Sequence, residues 1–285
     1  MSFPDSCLDI VTSTNKLKDT ILCAKRQNKK IAFVPTMGSL HKGHLSLIRK
    51  SKSLGDISVV SIFVNPMQFG PGEDFTFYPR HEENDIKLLE DNAVDILYLP
   101  DNTTIYPENF QTEISVKKIE NILCGKFRPS HFKGVATIVT KLLLQVLPDY
   151  AIFGEKDYQQ LVLITQLVSD LNIPTSVVGC PTIREDDGLA FSSRNSLLNQ
   201  DERNIAPNLY SELRSVQNLV KCGTNISYAC KEATQNLMKI GFSSVDYIEV
   251  RDEKNLQKLD KAEPNARLFG AANIGNTRII DNIPI

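Results

Sequence analysis

The sequence lacks several features that would place it in a membrane, outside the cell or on a nucleic acid. It has no apolar run near the length that spans a bilayer, and residues 1–5 lack the basic stretch and long apolar run of a secretory signal. Its net charge of −2 gives no indication of a nucleic-acid-binding surface. Six cysteines are scattered along the chain without a C-x-x-C spacing, so we expect reduced and mostly buried thiols. Together these absences predict a cytoplasmic protein that has neither a membrane nor a nucleic acid as a partner.

The composition is that of an ordinary globular protein. The 285 residues are 41% apolar and 23% charged, which suits one large domain or two of ordinary size. The sequence contains no repeat period and no low-complexity segment.

Apolar strand patterns alternate with helical patterns up to about residue 180. We predict strands at 31–34, 57–64, 94–99, 150–153 and 175–178. Helical patterns lie around 17–24, 43–54, 86–89, 135–146 and 161–171. Because these strands are apolar on both faces, they predict an α/β fold with a mostly parallel, Rossmann-like sheet covered by helices. Ligands of such sheets bind beyond the carboxyl ends of the strands, and the unusual loops 35–44, 65–79 and 154–157 follow strands here.

Beyond about residue 185 the pattern becomes helical and polar, and short strands follow. Helices are predicted at 201–219 and 226–240, and strands at 245–250, 267–272 and 277–281. Charge is dense and apolar residues are few between residues 182 and 187. We therefore predict a nucleotide-binding domain at 1–184 and a second, smaller α+β domain at 185–285.

The segment Pro35–Leu45 has the composition of a phosphate-binding loop. An apolar strand leads into it, Gly38 provides a turn, and a helical pattern begins at Gly43, where a residue without a side chain allows close approach to a ligand. The first turn of a helix presents free N–H groups and the positive end of its dipole to an anion. His41 and His44 share one face of that turn, where a neutral imidazole can donate to a phosphate oxygen. A lone histidine would more simply cap the helix, but two of them beside a glycine favour a site for ATP.

Two amide side chains follow the next predicted strand. Asn65 and Gln68 can each donate and accept hydrogen bonds, which suits a ligand that carries a hydroxyl and a carboxylate. For Asn65 an Asx turn is an equal alternative, whereas Gln68 favours a ligand contact. Asp74 and Arg80, farther along the same loop, are expected to tie the loop down.

Residues 154–160 again follow a strand and open a helix. Lys156 can meet a phosphate as a point charge. Asp157 can accept hydrogen bonds from ribose hydroxyls, or it can cap the helix. Gln160 lies three residues later, on the same face.

Residues 184–195 combine a flexible start at Gly188 with the polar residues Ser192, Ser193 and Arg194. Two hydroxyls and a guanidinium suit a loop that closes over a polyphosphate. The alternative is a solvated linker with a helix cap at one of the serines.

The basic segment 125–134 precedes a helical pattern. It can contact a substrate or a phosphate, or it can close the wall of a pocket. His131 is as consistent with a structural role as with a functional one.

These five segments, in this order, resemble pantothenate synthetase (pantoate–β-alanine ligase) over nearly the full length of the chain. The resemblance is carried by Pro-Thr-Met-Gly…His-x-Gly-His, Phe-Val-Asn-Pro-Met-Gln-Phe, Gly-Glu-Lys-Asp-Tyr-Gln-Gln-Leu and Asp-Gly-Leu-Ala-Phe-Ser-Ser-Arg-Asn. The first element is shared with many nucleotidyltransferases and class I aminoacyl-tRNA synthetases, whereas Asn-Pro-Met-Gln and Ser-Ser-Arg-Asn make the match specific. Ser130 stands where the family commonly has glycine, and its β-carbon restricts the backbone there.

The resemblance implies a reaction in two steps. The carboxylate of pantoate attacks the α-phosphate of ATP and pyrophosphate leaves; β-alanine then attacks the acyl adenylate, giving pantothenate and AMP. It also implies a homodimer and Mg²⁺ bound with ATP, although it leaves the protein ligands of the metal unknown. Asp85 matches an acidic position of the family and is a candidate protein ligand of Mg²⁺, but a charge on a helix surface is its favoured role. The apolar strand 57–64 is consistent either with an interface or with burial inside one subunit.

The resemblance also implies roles for individual residues. His44 is the implied catalytic residue, and Gln68 and Gln160 would orient pantoate and β-alanine. The implied ATP-binding residues are Met37, Gly38, His41, Gly43, His44, Gly154, Glu155, Lys156, Asp157, Ile183, Phe191, Ser192, Ser193 and Arg194. The adenylate must be kept from water, and the change of pattern near residue 185 leads us to predict that the second domain, joined by a glycine-containing loop, acts as a lid.

Three other functions compete with this interpretation. An adenylyltransferase that moves AMP onto a phosphate is the nearest, but it gives no reason for the paired glutamines. A class I aminoacyl-tRNA synthetase is disfavoured because the chain is short and slightly acidic. A non-catalytic nucleotide sensor would bind ATP without releasing pyrophosphate.

Overall fold

The computed structural model describes residues 8–285. The prediction that residues 1–5 carry no signal segment falls outside this range, as does Cys7. The other five cysteines are free thiols, and three of them are buried. No helix between residues 8 and 285 combines the length and the apolarity needed to cross a bilayer.

Six parallel strands within residues 8–285 form the larger sheet; five of them correspond to the strands that the alternating pattern predicts, and the first along the chain was not predicted. They are β1 (Asp9–Val11), β2 (Ile31–Thr36), β3 (Ile57–Ile62), β4 (Ile96–Tyr98), β5 (Tyr150–Gly154) and β6 (Ser176–Cys180). Their spatial order is β1-β4-β3-β2-β5-β6, and every neighbouring pair is parallel. From β2 the chain proceeds to β3 and β4 on one side and to β5 and β6 on the other, so the strand order reverses between β2 and β5. Ligands of open α/β sheets bind at such a reversal.

Helices cover both faces of this sheet. The longer ones are α1 (Thr14–Arg26), α2 (Lys42–Leu54), α3 (Glu82–Asp91), α6 (His131–Val146) and α7 (Tyr158–Asp170); two four-residue helices, α4 (Asn102–Ile105) and α5 (Cys124–Phe127), lie between α3 and α6. Ile31 and Phe33 of β2 pack into a core with α1, α6 and α7, while Ala32 and Val34 pack into a second core with α2 and α3. Alternate residues of one strand therefore fill two different cores, which explains why the strands read as apolar on both faces.

The rest of the chain forms a smaller antiparallel unit. Its strands β7 (Ser244–Asp252), β8 (Ala266–Ile274) and β9 (Thr277–Pro284) pair in the order β7-β8-β9. Helices α9 (Asn208–Lys221) and α10 (Ile226–Ile240) pack on this sheet through a core of their own. A second, smaller α+β unit is thus present, while its separation from the first at residue 184 stays a prediction.

Several element boundaries differ from the sequence prediction, among them those of one helix and two strands. The helix predicted at 201–219 is wrong: α8 (Gln200–Ile205) and α9 are separate, because Pro207 lacks the N–H that a continuous helix needs. Strand β2 continues through Pro35, which pairs in register with β3 while β5 pairs only farther back along β2. Strand β3 ends two residues earlier than predicted, and all of its residues are buried within this single chain.

Candidate active site

A cleft of about 870 Å³ opens at the carboxyl ends of β2 and β5, where the strand order reverses. This volume is in the range of small-molecule binding sites. The loops after β2, β3 and β5 line one side, and parts of β7, β9 and the segment 189–195 line the other. The cleft therefore lies between the two sheets and collects the loops that the sequence indicated.

The helix α2 begins with two histidines that cap its N-terminus. The Nδ1 of His41 accepts a hydrogen bond from the N–H of Gly43 at 3.2 Å, and the Nδ1 of His44 accepts one from the N–H of His41 at 3.3 Å. Because each Nδ1 accepts, the single proton of each neutral ring is assigned to Nε2. Neither Nε2 has a hydrogen-bond partner among residues 8–285, and both rings line the cleft. The cap thus provides two N–H donors to a ligand.

The surroundings of these two rings keep them uncharged. Burial lowers the pKa of His41 to about 4, and the nearby charge of Lys156 contributes to that lowering. Burial also holds the pKa of His44 well below its usual value, assisted by His41 and Lys156. At neutral pH the rings therefore donate hydrogen bonds without charge, which avoids a conflict with the positive end of the helix dipole.

The cap itself requires a glycine at position 43. A Cβ at this position would lie 2.9 Å from the ring of His41. The N–H of Gly43 already bonds to that ring, so it is not one of the free donors that the sequence led us to expect. At this position the exposed donor is an imidazole N–H instead of a backbone N–H.

A buried carboxylate holds the loop that precedes the cap. Gly38 and Ser39 have φ values of +78° and +51°, which form a tight left-handed turn. The two oxygens of Asp85 accept hydrogen bonds from the N–H groups of Ser39 and Leu40, both at 2.7 Å. Asp85 is only 2% exposed, so the prediction of a charge on a helix surface is wrong. It lies in the first turn of α3 but fixes a loop 45 residues away in sequence.

Asn65 forms a hydrogen-bonded framework behind the cleft. Its Nδ2 donates to Oε1 of Gln68 and to the carbonyl of Gly134, each at 3.1 Å. Its Oδ1 accepts from the hydroxyl of Tyr106 at 2.7 Å and from the N–H of Met67 at 3.4 Å. The Asx turn that was one alternative for Asn65 is present, and a ligand contact of this residue stays a prediction.

Gln68 keeps its amide nitrogen towards the cleft. Its Nε2 lies 3.1 Å from the sulfur of Met37, a weak acceptor. Arg80, in the same loop, donates to the carbonyls of Phe75 and Tyr78. Arg80 thus ties the loop down, as expected.

The side chains of the loop after β5 lie in two places: some line the cleft and one faces the second sheet. Lys156 lines the cleft with its Nζ 3.8 Å from the carboxylate of Asp157. Asp157 makes no capping hydrogen bond to α7, so the capping alternative is not realised. Gln160 also lines the cleft and forms no side-chain hydrogen bond within the described residues. Glu155 instead faces Arg267, at 3.7 Å.

The polar residues of segment 184–195 are partly engaged by the protein itself. Arg194 bonds through Nε and Nη2 to the carboxylate of Asp74 at 2.7 and 2.9 Å. The hydroxyl of Ser193 donates to the carbonyl of Ser39 at 3.1 Å, and Ser192 accepts from the N–H of Arg194 at 3.3 Å. Asp74 thus ties down its loop by joining it to this segment.

The basic segment 125–134 surrounds the backbone of Gln68. The Nδ1 of His131 lies 2.9 Å from the carbonyl oxygen of Gln68, and Nη2 of Arg128 donates to the same oxygen at 3.3 Å. Arg128 also forms a two-point ion pair with Glu73. Ser130 has right-handed helical backbone angles that any residue adopts, so serine causes no strain there.

Sequence reasoning missed a polar connection from β9 to two of the cleft loops. Arg184 forms a two-point ion pair with Asp281, at 2.6 and 2.9 Å. The Nδ2 of Asn282 donates to the carbonyls of Glu155 and Lys156, at 2.8 and 2.9 Å. The Asp-Asn pair flanked by apolar residues within β9 was the signal that could have revealed it.

The cleft brings together most of the predicted site residues. Those that line it are Met37, His41, Gly43, His44, Gln68, Gly154, Lys156, Asp157, Gln160, Ile183, Phe191, Ser192, Ser193 and Arg194. Gly38 and Glu155 do not line it: one forms the turn before the cap, and the other faces Arg267.

Comparison with known proteins adds independent evidence. The profile of the pantoate-beta-alanine ligase family matches residues 9–284. The pantothenate synthetase of Paramagnetospirillum magneticum is 47% identical over 280 residues, which cover 98% of this chain and 99% of that protein. That of Caldicellulosiruptor saccharolyticus is 47% identical over 277 residues, covering 97% and 99%.

Solved structures of similar proteins share the whole fold. Pantothenate synthetase from Thermus thermophilus superposes with a TM-score of 0.92 at 39% identity, covering 97% of this chain and 99% of that one. Pantoate-beta-alanine ligase from Francisella tularensis, solved in complex with β-γ ATP and β-alanine, gives a TM-score of 0.83 at 40% identity, with 98% of both chains covered.

Proposed function

The chain belongs to the pantoate–β-alanine ligase family, and on that premise we propose that it condenses pantoate with β-alanine, using ATP, in the cleft between its two sheets. In the first step a carboxylate oxygen of pantoate forms a bond to the α-phosphorus of ATP, and pyrophosphate leaves. In the second step the amine of β-alanine forms a bond to the acyl carbon, and AMP leaves. The observation that carries the proposal is the pair of uncharged Nε2–H donors at the reversal point of the sheet, beside Lys156.

The two imidazoles and the lysine would act on the phosphates. Negative charge builds on the phosphate oxygens as pyrophosphate leaves, and fixed donors that face those oxygens lower the barrier. We assign this role to His44 as the catalytic donor, with His41 beside it. Lys156 adds the positive charge that the neutral rings do not supply.

The remaining ATP contacts are assigned around these donors. Gly154, Asp157 and the backbone at Ile183 would hold the nucleoside, and Asp157 has a carboxylate that no helix cap occupies. Ser192, Ser193 and Arg194 would contact the polyphosphate. Because Arg194 is already paired with Asp74 through Nε and Nη2, its Nη1, which has no hydrogen-bond partner within residues 8–285, is the atom available for that contact.

Gln68 and Gln160 would orient pantoate between the phosphates and an apolar wall. Phe132, Val135 and Val139 line the same cleft and offer a surface for the two methyl groups of pantoate. The amides of the two glutamines suit its hydroxyls and carboxylate.

Mg²⁺ fits this cleft as part of the nucleotide substrate. Residues 8–285 bring no three acidic, histidine or cysteine groups together, and both oxygens of Asp85 already accept from backbone N–H groups. Phosphate oxygens and water would therefore hold most of its coordination sphere, as is common for Mg²⁺. Its chemical contribution is to neutralise the charge of ATP.

The family also leads us to propose a homodimer in the cytoplasm, with residues 185–285 acting as a lid over residues 1–184. Sedimentation would give the mass in solution. Small-angle scattering with and without ATP plus pantoate should show compaction, and identical profiles would count against closure.

A three-substrate assay tests the reaction itself. With ATP, pantoate and β-alanine, sustained AMP release should require both acids, and pantoate alone should support exchange of labelled pyrophosphate into ATP. A stable dinucleotide product would instead indicate an adenylyltransferase. ATP binding without any pyrophosphate release would indicate a nucleotide sensor.

A further inference from the structure

A third imidazole, that of His131, lines the cleft, and its hydrogen-bonding roles are the reverse of those of His41 and His44. The Nδ1 of His131 faces the carbonyl oxygen of Gln68 at 2.9 Å. A carbonyl oxygen only accepts hydrogen bonds, so this Nδ1 must carry the proton. In a neutral ring the Nε2 of His131 is then a bare acceptor, whereas the Nε2 atoms of His41 and His44 are donors.

The groups around His131 keep the ring neutral. Burial and the charge of Arg128 lower its pKa to about 3, against smaller opposing effects from the hydrogen bond to Gln68 and from the charges of Glu73 and Asp157. The only aromatic contact of the ring is with the edge of Phe132, at 4.8 Å between centroids in the described structure. No hydrogen bond from the described part of the chain reaches its Nε2.

The exposed lone pair selects the kind of ligand atom that can lie against it. Phosphate and carboxylate oxygens are acceptors and would be repelled, so the partner must carry an N–H or an O–H. Of the groups that the proposed reaction brings to the cleft, the amine of β-alanine is the N–H donor that must come close to the acyl carbon. The hydroxyls of pantoate are the alternative donors.

We propose that Nε2 of His131 accepts a hydrogen bond from the amine of β-alanine and orients that amine for attack on the acyl adenylate. This inference rests on the proposed ligase reaction. The ring of His131 is positioned by its hydrogen bond to the backbone of Gln68, the residue to which we assign pantoate. The same hydrogen bond would therefore fix the amine of β-alanine relative to pantoate.

The amine of β-alanine can attack the acyl carbon while the ring of His131 stays neutral. β-Alanine reacts as the free amine, which donates one N–H to His131 and keeps its lone pair for the acyl carbon. The C–N bond forms, the bond from the acyl carbon to the adenylate oxygen breaks, and AMP leaves with that electron pair. The surplus proton on nitrogen passes to water, since a ring that stays neutral at this pH is an acceptor for orientation and not the base.

Two variants distinguish the contribution of Nδ1 of His131 from that of Nε2. In His131→Asn the amide N–H sits near the place of Nδ1 and can still donate to the carbonyl of Gln68, but nothing replaces Nε2. In His131→Gln the amide reaches the place of Nε2 and offers an acceptor oxygen, while the hydrogen bond to Gln68 is lost. Arg128, which donates to that carbonyl in the unaltered protein, is left in place in both variants.

Each variant is measured in both half-reactions. For His131→Asn we expect pantoate-dependent pyrophosphate exchange within about twofold of wild type. Its β-alanine-dependent turnover should fall about 10- to 100-fold, with a raised KM for β-alanine, because misplacing a nucleophile has an effect of this size. Hydroxylamine, a small nucleophile that needs no orienting contact, should still trap the adenylate at the wild-type rate. For His131→Gln the weaker step should be pantoate use, with the KM for β-alanine retained.

Three results would overturn the inference. Equal losses of exchange and of full turnover in His131→Asn would place the ring against pantoate. Wild-type use of β-alanine by folded His131→Asn would remove the contact altogether, and so would a raised KM for β-alanine in His131→Gln with normal pantoate use. Absence of exchange in the wild-type enzyme would instead reject the ligase reaction, a failure that the other results do not produce.

Discussion

The two imidazole regions of the cleft differ in polarity although they use the same residue type at the same kind of position. His41 and His44 lie at the start of α2, and His131 is the first residue of α6. In the first region each Nδ1 receives a backbone N–H, so each outer nitrogen is a donor; in the second, Nδ1 faces a carbonyl, so the outer nitrogen is an acceptor. The backbone partner of the inner nitrogen thus decides what the outer nitrogen offers to a ligand.

This difference between the two imidazole regions suits a reaction in which one substrate is an anionic polyphosphate and another is an amine. Donors face the side where Lys156 lies and where we place the phosphates, while the acceptor lies beside Gln68, where we place pantoate and the incoming amine. Because all three rings are held neutral, none of them needs to change charge at physiological pH.

The largest effect is expected at His44. In His44→Ala the capping hydrogen bond from the N–H of His41 and the outer Nε2 donor are both lost, so pyrophosphate exchange should fall about 10²- to 10³-fold. The free energy of unfolding should fall by about 1 kcal/mol, the usual loss of a helix cap.

His44→Asn is the matched control for that loss. The amide oxygen lies near the place of Nδ1 and can accept from the N–H of His41, so stability in urea should be close to that of wild type. Exchange should nevertheless be as slow as in His44→Ala. Wild-type exchange in either folded variant would remove His44 from the mechanism.

The two glutamines assigned to pantoate differ in their role: Gln160 would only contact the ligand, whereas Gln68 also supports the protein structure. Gln160→Ala should raise the KM for pantoate about tenfold without changing stability, because its amide has no side-chain partner in the described chain. Gln68→Ala should raise it as well and also lower the free energy of unfolding by about 1 kcal/mol, since Asn65 loses an acceptor.

Exchange rates at varied pantoate and ATP, together with urea unfolding, would check this pair. The KM for ATP should change little in both variants. Equal losses for pantoate and ATP in Gln160→Ala would contradict the assignment of this residue to pantoate.

Local sequence patterns predicted the parts of the molecule that local chemistry determines. The buried strands appear as apolar runs because both of their faces are covered, and the two histidines of α2 were found because cap, glycine and strand adjoin in the chain. Pro207, in contrast, was overlooked within a helical period that it interrupts.

Contacts between distant residues could not be predicted in this way. Asp85 was taken for a surface charge because its partners lie 45 and 46 residues earlier in the chain. The polarity of His131 depends on a carbonyl 63 residues away, so the sequence left its role open. The turn at Glu155-Lys156 sends its two charges in opposite directions, which depends on Arg267 in the other sheet.

The protonation of the two imidazole regions can also be compared through the pH dependence of stability. An unfolded histidine has its ordinary pKa near 6.5, whereas His131 is held at about 3 and His41 at about 4 in the folded protein. Between these values the unfolded chain binds more protons than the folded one, so the free energy of unfolding falls as the pH decreases from 7 to 5. His131→Asn lacks one such group and should lose less, by up to about 2 kcal/mol over this interval. Carboxylates titrate in both proteins and cancel in the difference, and urea unfolding at each pH measures it. Parallel stability curves for wild type, His131→Asn and His41→Asn would show that the rings are not held neutral by the fold, which would remove the basis for assigning them opposite polarities.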